Sequence, residues 1–203
     1  MVKRIGVALV AYPIRRLRDG DDWLRRRMVG YWDTTDLNTA KFERVSVFHD
    51  IEQLSPTARD ARWREVTESG MAKILERVES PAPDWSVLDI GCGVGRMLRP
   101  MSEQFEKVIG IDISPAMINF AREELADRPN VELHVGNGQD LSVIADNSID
   151  LVYSVYAFQH FPRRSIVDNY LKETRRVLKP GGIAVIQTWN RPLTPIRRIK
   201  LLV

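Results

Sequence analysis

From Trp85 onward, short apolar runs alternate with stretches in which apolar residues recur every three or four positions. Runs of the first kind lie at 85–90, 107–111, 131–135, 149–155 and 183–188, and they predict strands. Between the second and third, Met117, Ala121 and Leu125 mark a helical face that Ser114-Pro115 opens with a cap and a first-turn proline. Before the fifth, Val167, Tyr170, Leu171, Thr174, Val177 and Leu178 mark a second amphipathic helix, which Lys179-Pro180-Gly181-Gly182 stops. An earlier helix is expected after Ser55-Pro56, where Trp63, Val66, Gly70, Met71, Ile74, Leu75 and Val78 keep one face apolar until Ser80-Pro81-Ala82-Pro83 ends it. Strands separated by helices of this length predict an α/β fold with a doubly wound, mainly parallel sheet.

Residues 1–55 show no such period; Arg runs mix there with Trp23, Tyr31, Trp32, Phe42 and Phe48, and the segment reads as an N-terminal cap. Residues 56–190 form the sheet domain and 191–203 a basic tail. A chain of 203 residues, 44% hydrophobic and 28% charged, suits one such domain with a complete core plus a small accessory element.

The formal charge of +3 implies no nucleic-acid partner by itself, and the arginines crowding both ends read as solvated. Cys92 is the single cysteine, so no internal disulfide forms and a reducing, cytoplasmic setting is expected. The apolar stretch Ile5 to Ala11 is far shorter than the ~20 residues that span a bilayer, and it reads as a terminal strand or helix.

The chemistry concentrates at Val87-Leu88-Asp89-Ile90-Gly91-Cys92-Gly93-Val94-Gly95-Arg96. An apolar run meets three glycines at alternate positions, and Met97, Leu98, Met101 and Phe105 follow at helical spacing. A strand, a tight glycine turn and a helix open a nucleotide-type site, because a Cβ there would block close approach of backbone to ligand. Cys92 suits the turn as a small packing residue and not as a nucleophile. Asp112 ends the strand Val108-Ile109-Gly110-Ile111, about twenty residues beyond the turn. An acid at that place accepts from both hydroxyls of a ribose; the plainer reading is a helix cap or a solvated loop residue. A dinucleotide fingerprint needs G-x-G-x-x-G, whereas Arg96 stands where its third glycine would be. Asp89 beside the turn would repel a pyrophosphate and suits a ligand carrying an ammonium group.

These segments resemble the class I S-adenosylmethionine-dependent methyltransferases, and most closely their type 11, small-molecule branch. The glycine segment matches the family's first motif. Gly110-Ile111-Asp112-Ile113-Ser114, Gly136-Asn137-Gly138-Gln139-Asp140-Leu141, Asn147-Ser148-Ile149-Asp150-Leu151-Val152-Tyr153-Ser154 and Arg176-Val177-Leu178-Lys179-Pro180-Gly181-Gly182 follow in the family's order, within about residues 70–190. The resemblance implies the family's Rossmann-like fold, with S-adenosylmethionine as cofactor, S-adenosylhomocysteine as product, and no metal. It implies that Asp89, directly or through water, and Gly91 hold the methionine amino group. Gly93 and Gly95 would admit the cofactor, with Cys92 in the same turn, and Asp112 would hold the ribose. Ile113 would lie on the adenine face, Asn137 and the Gly138 amide would read its edge, and Ser154 would approach the methyl end. Tyr156 and His160, just after the fourth strand, are the candidate catalytic groups.

Two departures from the family pattern stand out. Asn137 replaces the usual Asp, whose carboxylate accepts from the adenine amino group. The chain also offers no antiparallel strand pair after the fifth strand, which leaves an edge for the tail, a partner or a second copy to cover. Ser154-Val155-Tyr156-Ala157 lacks the segment by which amino-methylating nucleic-acid enzymes clamp their target. The expected acceptor is therefore a small or lipid-like molecule, reached by in-line transfer; the alternative is a cofactor-binding but inactive partner or a truncated enzyme.

Overall fold

A computed structural model describes residues 56–187, so the expected cap at 1–55 and tail at 191–203 lie outside the described residues. Five strands form one sheet: β1 (Ser86–Ile90), β2 (Lys107–Asp112), β3 (Val131–Val135), β4 (Ile149–Ser154) and β5 (Leu178–Ile186). They lie in the order β3-β2-β1-β4-β5, and every pairing is parallel. Burial explains the sequence pattern. The inner strands β1, β2 and β4 are covered on both faces and so read as near-continuous apolar runs, while the edge strand β3 is half exposed.

Helices α1 (Pro56–Leu75), α2 (Leu98–Ser102) and α3 (Pro115–Glu124) share one core with Val87, Val108, Leu151 and Tyr153. Helix α4 (Arg164–Val177) closes the opposite face over Leu88, Ile90, Ile109, Ile111 and Val152. The alternation of strand residues between these two cores is the doubly wound arrangement that the strand–helix succession predicts. The chain leaves β1 toward β2 and β3 but returns to β4 on the other side. The carboxyl ends of β1 and β4 therefore flank the switch point, where open α/β sheets bind their ligands.

The local expectations hold with two corrections besides the end of α1, which comes at Leu75 and not at Ser80-Pro81-Ala82-Pro83, because the Arg77 and Val78 amides turn back to the Ile74 and Leu75 carbonyls at 3.1 and 3.0 Å. Ser114 caps α3, its Oγ accepting the Met117 amide at 3.2 Å, with Pro115 in the first turn. Helix α2 is shorter than the Met97-to-Phe105 periodicity suggests. Asn130 Nδ2 donates to the carbonyls of both Ser102 and Phe105 at 2.9 Å, taking acceptors that a longer helix would leave to its own amides. Phe105 is buried all the same and stacks on Trp85.

The second correction concerns β5. Leu178 already pairs with Ile149, and pairing resumes at Ile183 with Leu151, so Lys179-Pro180-Gly181-Gly182 bulges out of a strand instead of preceding it. Asp150 holds the bulge, its carboxylate accepting from Lys179 Nζ at 2.7 Å and from the Ser86 amide at 2.8 Å.

Candidate functional site

At the end of β1 the chain turns sharply over the end of β2. The amides of Gly91 and Cys92 both donate to the Ile111 carbonyl, at 2.8 and 3.1 Å, and the Gly93 amide donates to Asp112 Oδ2 at 2.9 Å. Gly91 sits at φ +80°, and a Cβ there would lie 2.3 Å from the Cβ of Ala157 in the loop after β4. Gly93, at φ +53°, differs: an added Cβ would meet nothing within 4 Å. Gly91 therefore serves the contact between two loops, whereas Gly93 faces open space, the cradle a ligand backbone requires. Gly95 backs onto α3, against Ala121 and Leu125. Cys92 is buried, and its Sγ packs over Gly110 in the core, so its side chain offers nothing to a ligand. Burial, with Asp112 and Asp89 nearby, pushes its thiol well above the ordinary range.

Asp112 sits where the sequence places it, and both carboxylate oxygens are engaged: Oδ2 with Gly93 and Oδ1 with the Ser114 amide at 2.9 Å. A carboxylate offers about four acceptor positions, so bonding to these two amides does not by itself exclude sugar hydroxyls, and the cap and ribose readings are compatible.

Asp89 is 3% exposed, and burial pushes its carboxyl up to about 7. The Tyr153 hydroxyl and the Arg96 guanidinium pull it back down, while Asp112 raises it further. Tyr153 is the register partner of Asp89 on β4; its fully buried hydroxyl has no hydrogen bond of ordinary length among the described residues. Arg96, read from sequence only as a missing glycine, reaches back to α1, where Nη1 donates to Thr67 Oγ1 at 3.2 Å.

The loop after β3 meets the loop after β2 where Gly138 packs on Ile113; a Cβ on that glycine would lie 2.4 Å from Ile113 Cδ1. Asn137 is committed to its own loop. Its Oδ1 accepts the amides of Gln139 and Asp140 at 2.7 and 3.0 Å, and its Nδ2 donates to Asp140 Oδ1 at 2.7 Å. Helix α4 holds the same loop at three points. Asn169 Nδ2 donates to the Gln139 carbonyl at 2.7 Å, Glu173 Oε2 accepts the Leu141 amide at 3.2 Å, and Arg176 Nη2 donates to the Leu141 carbonyl at 2.9 Å.

Ser154 ends β4, fully buried, and its Oγ donates to the Ile90 carbonyl at 2.6 Å, drawing the β1 and β4 ends together. Tyr156 takes φ +65°, an unusual conformation for a side chain of its size. His160 ends the short 3₁₀ turn Phe158–His160, exposed at its rim, and partial burial keeps its imidazole below the ordinary range. Asp89, Gly91, Gly93, Asp112 and Ser154 thus converge on the strand ends; Ile113, Asn137 and Gly138 line the adjoining loops. Tyr153, Arg96 and Thr67 are the residues sequence reasoning missed. The apolar periodicity singles out none of them, and strand register was needed to set Tyr153 against Asp89.

The family described as "Methyltransferase domain" matches residues 88–186. The chain is 37% identical over 110 residues, 54% of its length, to 2-methyl-6-phytyl-1,4-hydroquinone methyltransferase of Synechocystis sp., of which that stretch covers 33%. It is 31% identical to demethylmenaquinone methyltransferase of Tropheryma whipplei over 79% of this chain and 63% of that protein. It therefore spans less than two thirds of the length of either relative. Among solved structures, the YcgJ protein of Bacillus subtilis superimposes with a TM-score of 0.53 at 27% identity, covering 59% of this chain and 50% of that one.

Proposed function

Because residues 88–186 match a methyltransferase domain, we propose that the chain is a class I methyltransferase of the type 11 branch, binds S-adenosylmethionine at the β1–β4 switch point and methylates a small or lipid-like acceptor. The observation that carries this reading is the pair of acids flanking one open glycine cradle: Asp112 bonded to the Gly93 amide, and Asp89 buried at the end of the preceding strand.

The residues fit the cofactor. The open position at Gly93 admits a ligand backbone. When bound, S-adenosylmethionine supplies a methyl group on a sulfonium, which is activated for in-line displacement without a metal.

Asp89 and the Gly91 backbone hold the amino-acid end, and the Asp112 carboxylate, anchored on the Gly93 amide, holds the ribose. Ile113 gives an apolar wall against the adenine, and the Gly138 amide donates to its edge. Asn137 acts by shaping that loop, since its own amide oxygen already accepts two bonds. Ser154 and Gly91, with Ala157 packed against it, place the end of β4 beside the methyl-bearing end, so the chain's main contribution is alignment and exclusion of water.

His160 is neutral at pH 7, because burial depresses its pKa, and can accept a proton from a hydroxyl acceptor; Tyr156 orients that acceptor. The quinone-type names of the two relatives support a prenylated hydroquinone or related phenol as acceptor. A cytoplasmic setting is supported by the lone, buried Cys92, and no helix among the described residues is long and apolar enough to cross a membrane. The outer edge of β5 is the surface where a partner, a second copy or further strands of the protein would pair.

The test is a thermal-shift panel with S-adenosylmethionine, S-adenosylhomocysteine and NADH, followed by transfer of labelled methyl to hydroquinone acceptors. Stabilisation by the two adenosyl compounds and label in the phenol are expected. A shift with NADH alone would overturn the reading.

A further inference from the structure

Arg96 stands where the glycine turn meets α1. Its Nη1 donates to the hydroxyl of Thr67, a residue only 7% exposed, and the guanidinium interacts electrostatically with Asp89, Tyr153 and Tyr156. The groups acting on Asp89 come from every element around it: Tyr153 from β4, Asp112 from the end of β2, and Cys92 and Arg96 from the turn. Helix α1 contributes the neutral Thr67, through Arg96. Among the described residues, Arg96 is the only cation in that set.

We propose that Arg96 is a positioning residue that couples α1 to the amino-acid end of the site: Thr67 fixes the guanidinium, and the guanidinium supplies the counter-charge for the Asp89 carboxylate. The inference rests on the S-adenosylmethionine reading above. A carboxyl group taken out of water keeps its charge only beside a compensating cation, and a protonated Asp89 has little to offer an ammonium. Burial has already brought Asp89 close to that point, so a small change in its surroundings decides its charge near neutrality. Seating of α1 thereby governs how well the site holds the cationic end of its ligand, through a residue that need not touch the ligand.

Calorimetric titration of S-adenosylhomocysteine and 5′-methylthioadenosine from pH 5.5 to 8.5 tests the coupling, because the second compound has no amino-acid end. In the parent, S-adenosylhomocysteine affinity should fall as pH drops below 7, and Asp89→Asn should abolish that dependence. Arg96→Gln should weaken S-adenosylhomocysteine about tenfold at pH 7 and move the fall to higher pH, with 5′-methylthioadenosine within twofold. Thr67→Val, which leaves the charge but frees it, should act in the same direction by about threefold and decides the matter if Arg96→Gln does not fold. In the Asp89→Asn background Arg96→Gln should add less than twofold.

Equal weakening of both compounds overturns the proposal, as does a loss independent of pH, which would put Arg96 in direct contact with the ligand. An unchanged pH profile in both Arg96→Gln and Thr67→Val overturns it too. If the parent binds neither compound, the methyltransferase reading itself fails.

Discussion

The Gly93 amide donates to the Asp112 carboxylate at 2.9 Å, so the acid expected to hold a sugar also holds the turn that would receive it. Sugar site and glycine cradle are one mechanical unit. Asp112→Ala should therefore weaken S-adenosylhomocysteine binding ten- to a hundredfold and also destabilise the fold by about 1–3 kcal/mol, since the amides of Gly93 and Ser114 both lose their acceptor. Asp112→Asn keeps one oxygen and should lose less of each. Calorimetry and denaturant titration together check the pairing; loss of binding with unchanged stability would mean the turn does not depend on the acid.

The glycines of the turn should separate experimentally. At Gly91 an added methyl meets Ala157 at 2.3 Å as well as an unfavourable φ, so Gly91→Ala should cost about 2–4 kcal/mol of stability. At Gly93 only the backbone term applies, about 1–2 kcal/mol, while the methyl enters the open cradle. Gly93→Ala should thus keep the higher melting temperature of the two and still bind ligand poorly.

Buried Asp89 makes stability depend on pH. Its carboxyl titrates near 7 in the folded chain against 3.8 in solvent, so between those values the folded state holds a proton that the unfolded state has shed. Its contribution favours folding at low pH and is lost as pH rises from 4 to 7. Asp89→Asn escapes that loss. It should match the parent near pH 4 and exceed it by up to about 4 kcal/mol at pH 8, while binding S-adenosylhomocysteine less well. Denaturant midpoints of both proteins across that range give the comparison.

Helix α4 should control the loop after β3. Arg176 donates to the carbonyls of Leu141 and Ile144 and pairs with Glu173 and Asp146, and these two carboxylates, Glu173 foremost, hold its guanidinium above even its ordinary range. Arg176→Ala should cost about 2–4 kcal/mol and speed hydrogen exchange at the Leu141 amide. Asn169→Ala removes the single bond to Gln139 and should lower affinity for the adenosyl ligand by a few-fold with little loss of stability. Affinity insensitive to both changes would show that the loop does not contact the ligand.

His160 should affect turnover and not cofactor affinity. His160→Ala should lower kcat about a hundredfold for a phenolic acceptor and leave S-adenosylhomocysteine binding within twofold. Because burial depresses the imidazole, the acidic limb of the rate profile should fall below pH 6.5. Unchanged kcat would leave alignment alone to explain the reaction.

The order of strands and helices, the glycine turn, the Ser114 cap and the acid at Asp112 were all legible in the amino-acid sequence. Each depends on residues close together in the chain: an apolar period, a proline, a glycine forced by a positive φ. The Met97-to-Phe105 period overstated α2 because its end is set by Asn130, some thirty residues on. The Pro180-Gly181-Gly182 breaker was likewise real but fell inside a paired strand, because Ile149 and Leu151 decide where β5 joins the sheet.

What the sequence alone determined is therefore the doubly wound framework and the identity of the acids at its edge. Only the tertiary structure decided their state. It set Tyr153 across from Asp89, brought Arg96 and Thr67 beside them, and spent the side chain of Asn137 on its own loop. The reason is physical: strand register and burial join residues far apart in the chain, and they determine whether a carboxylate keeps its charge and which of its lone pairs remain free.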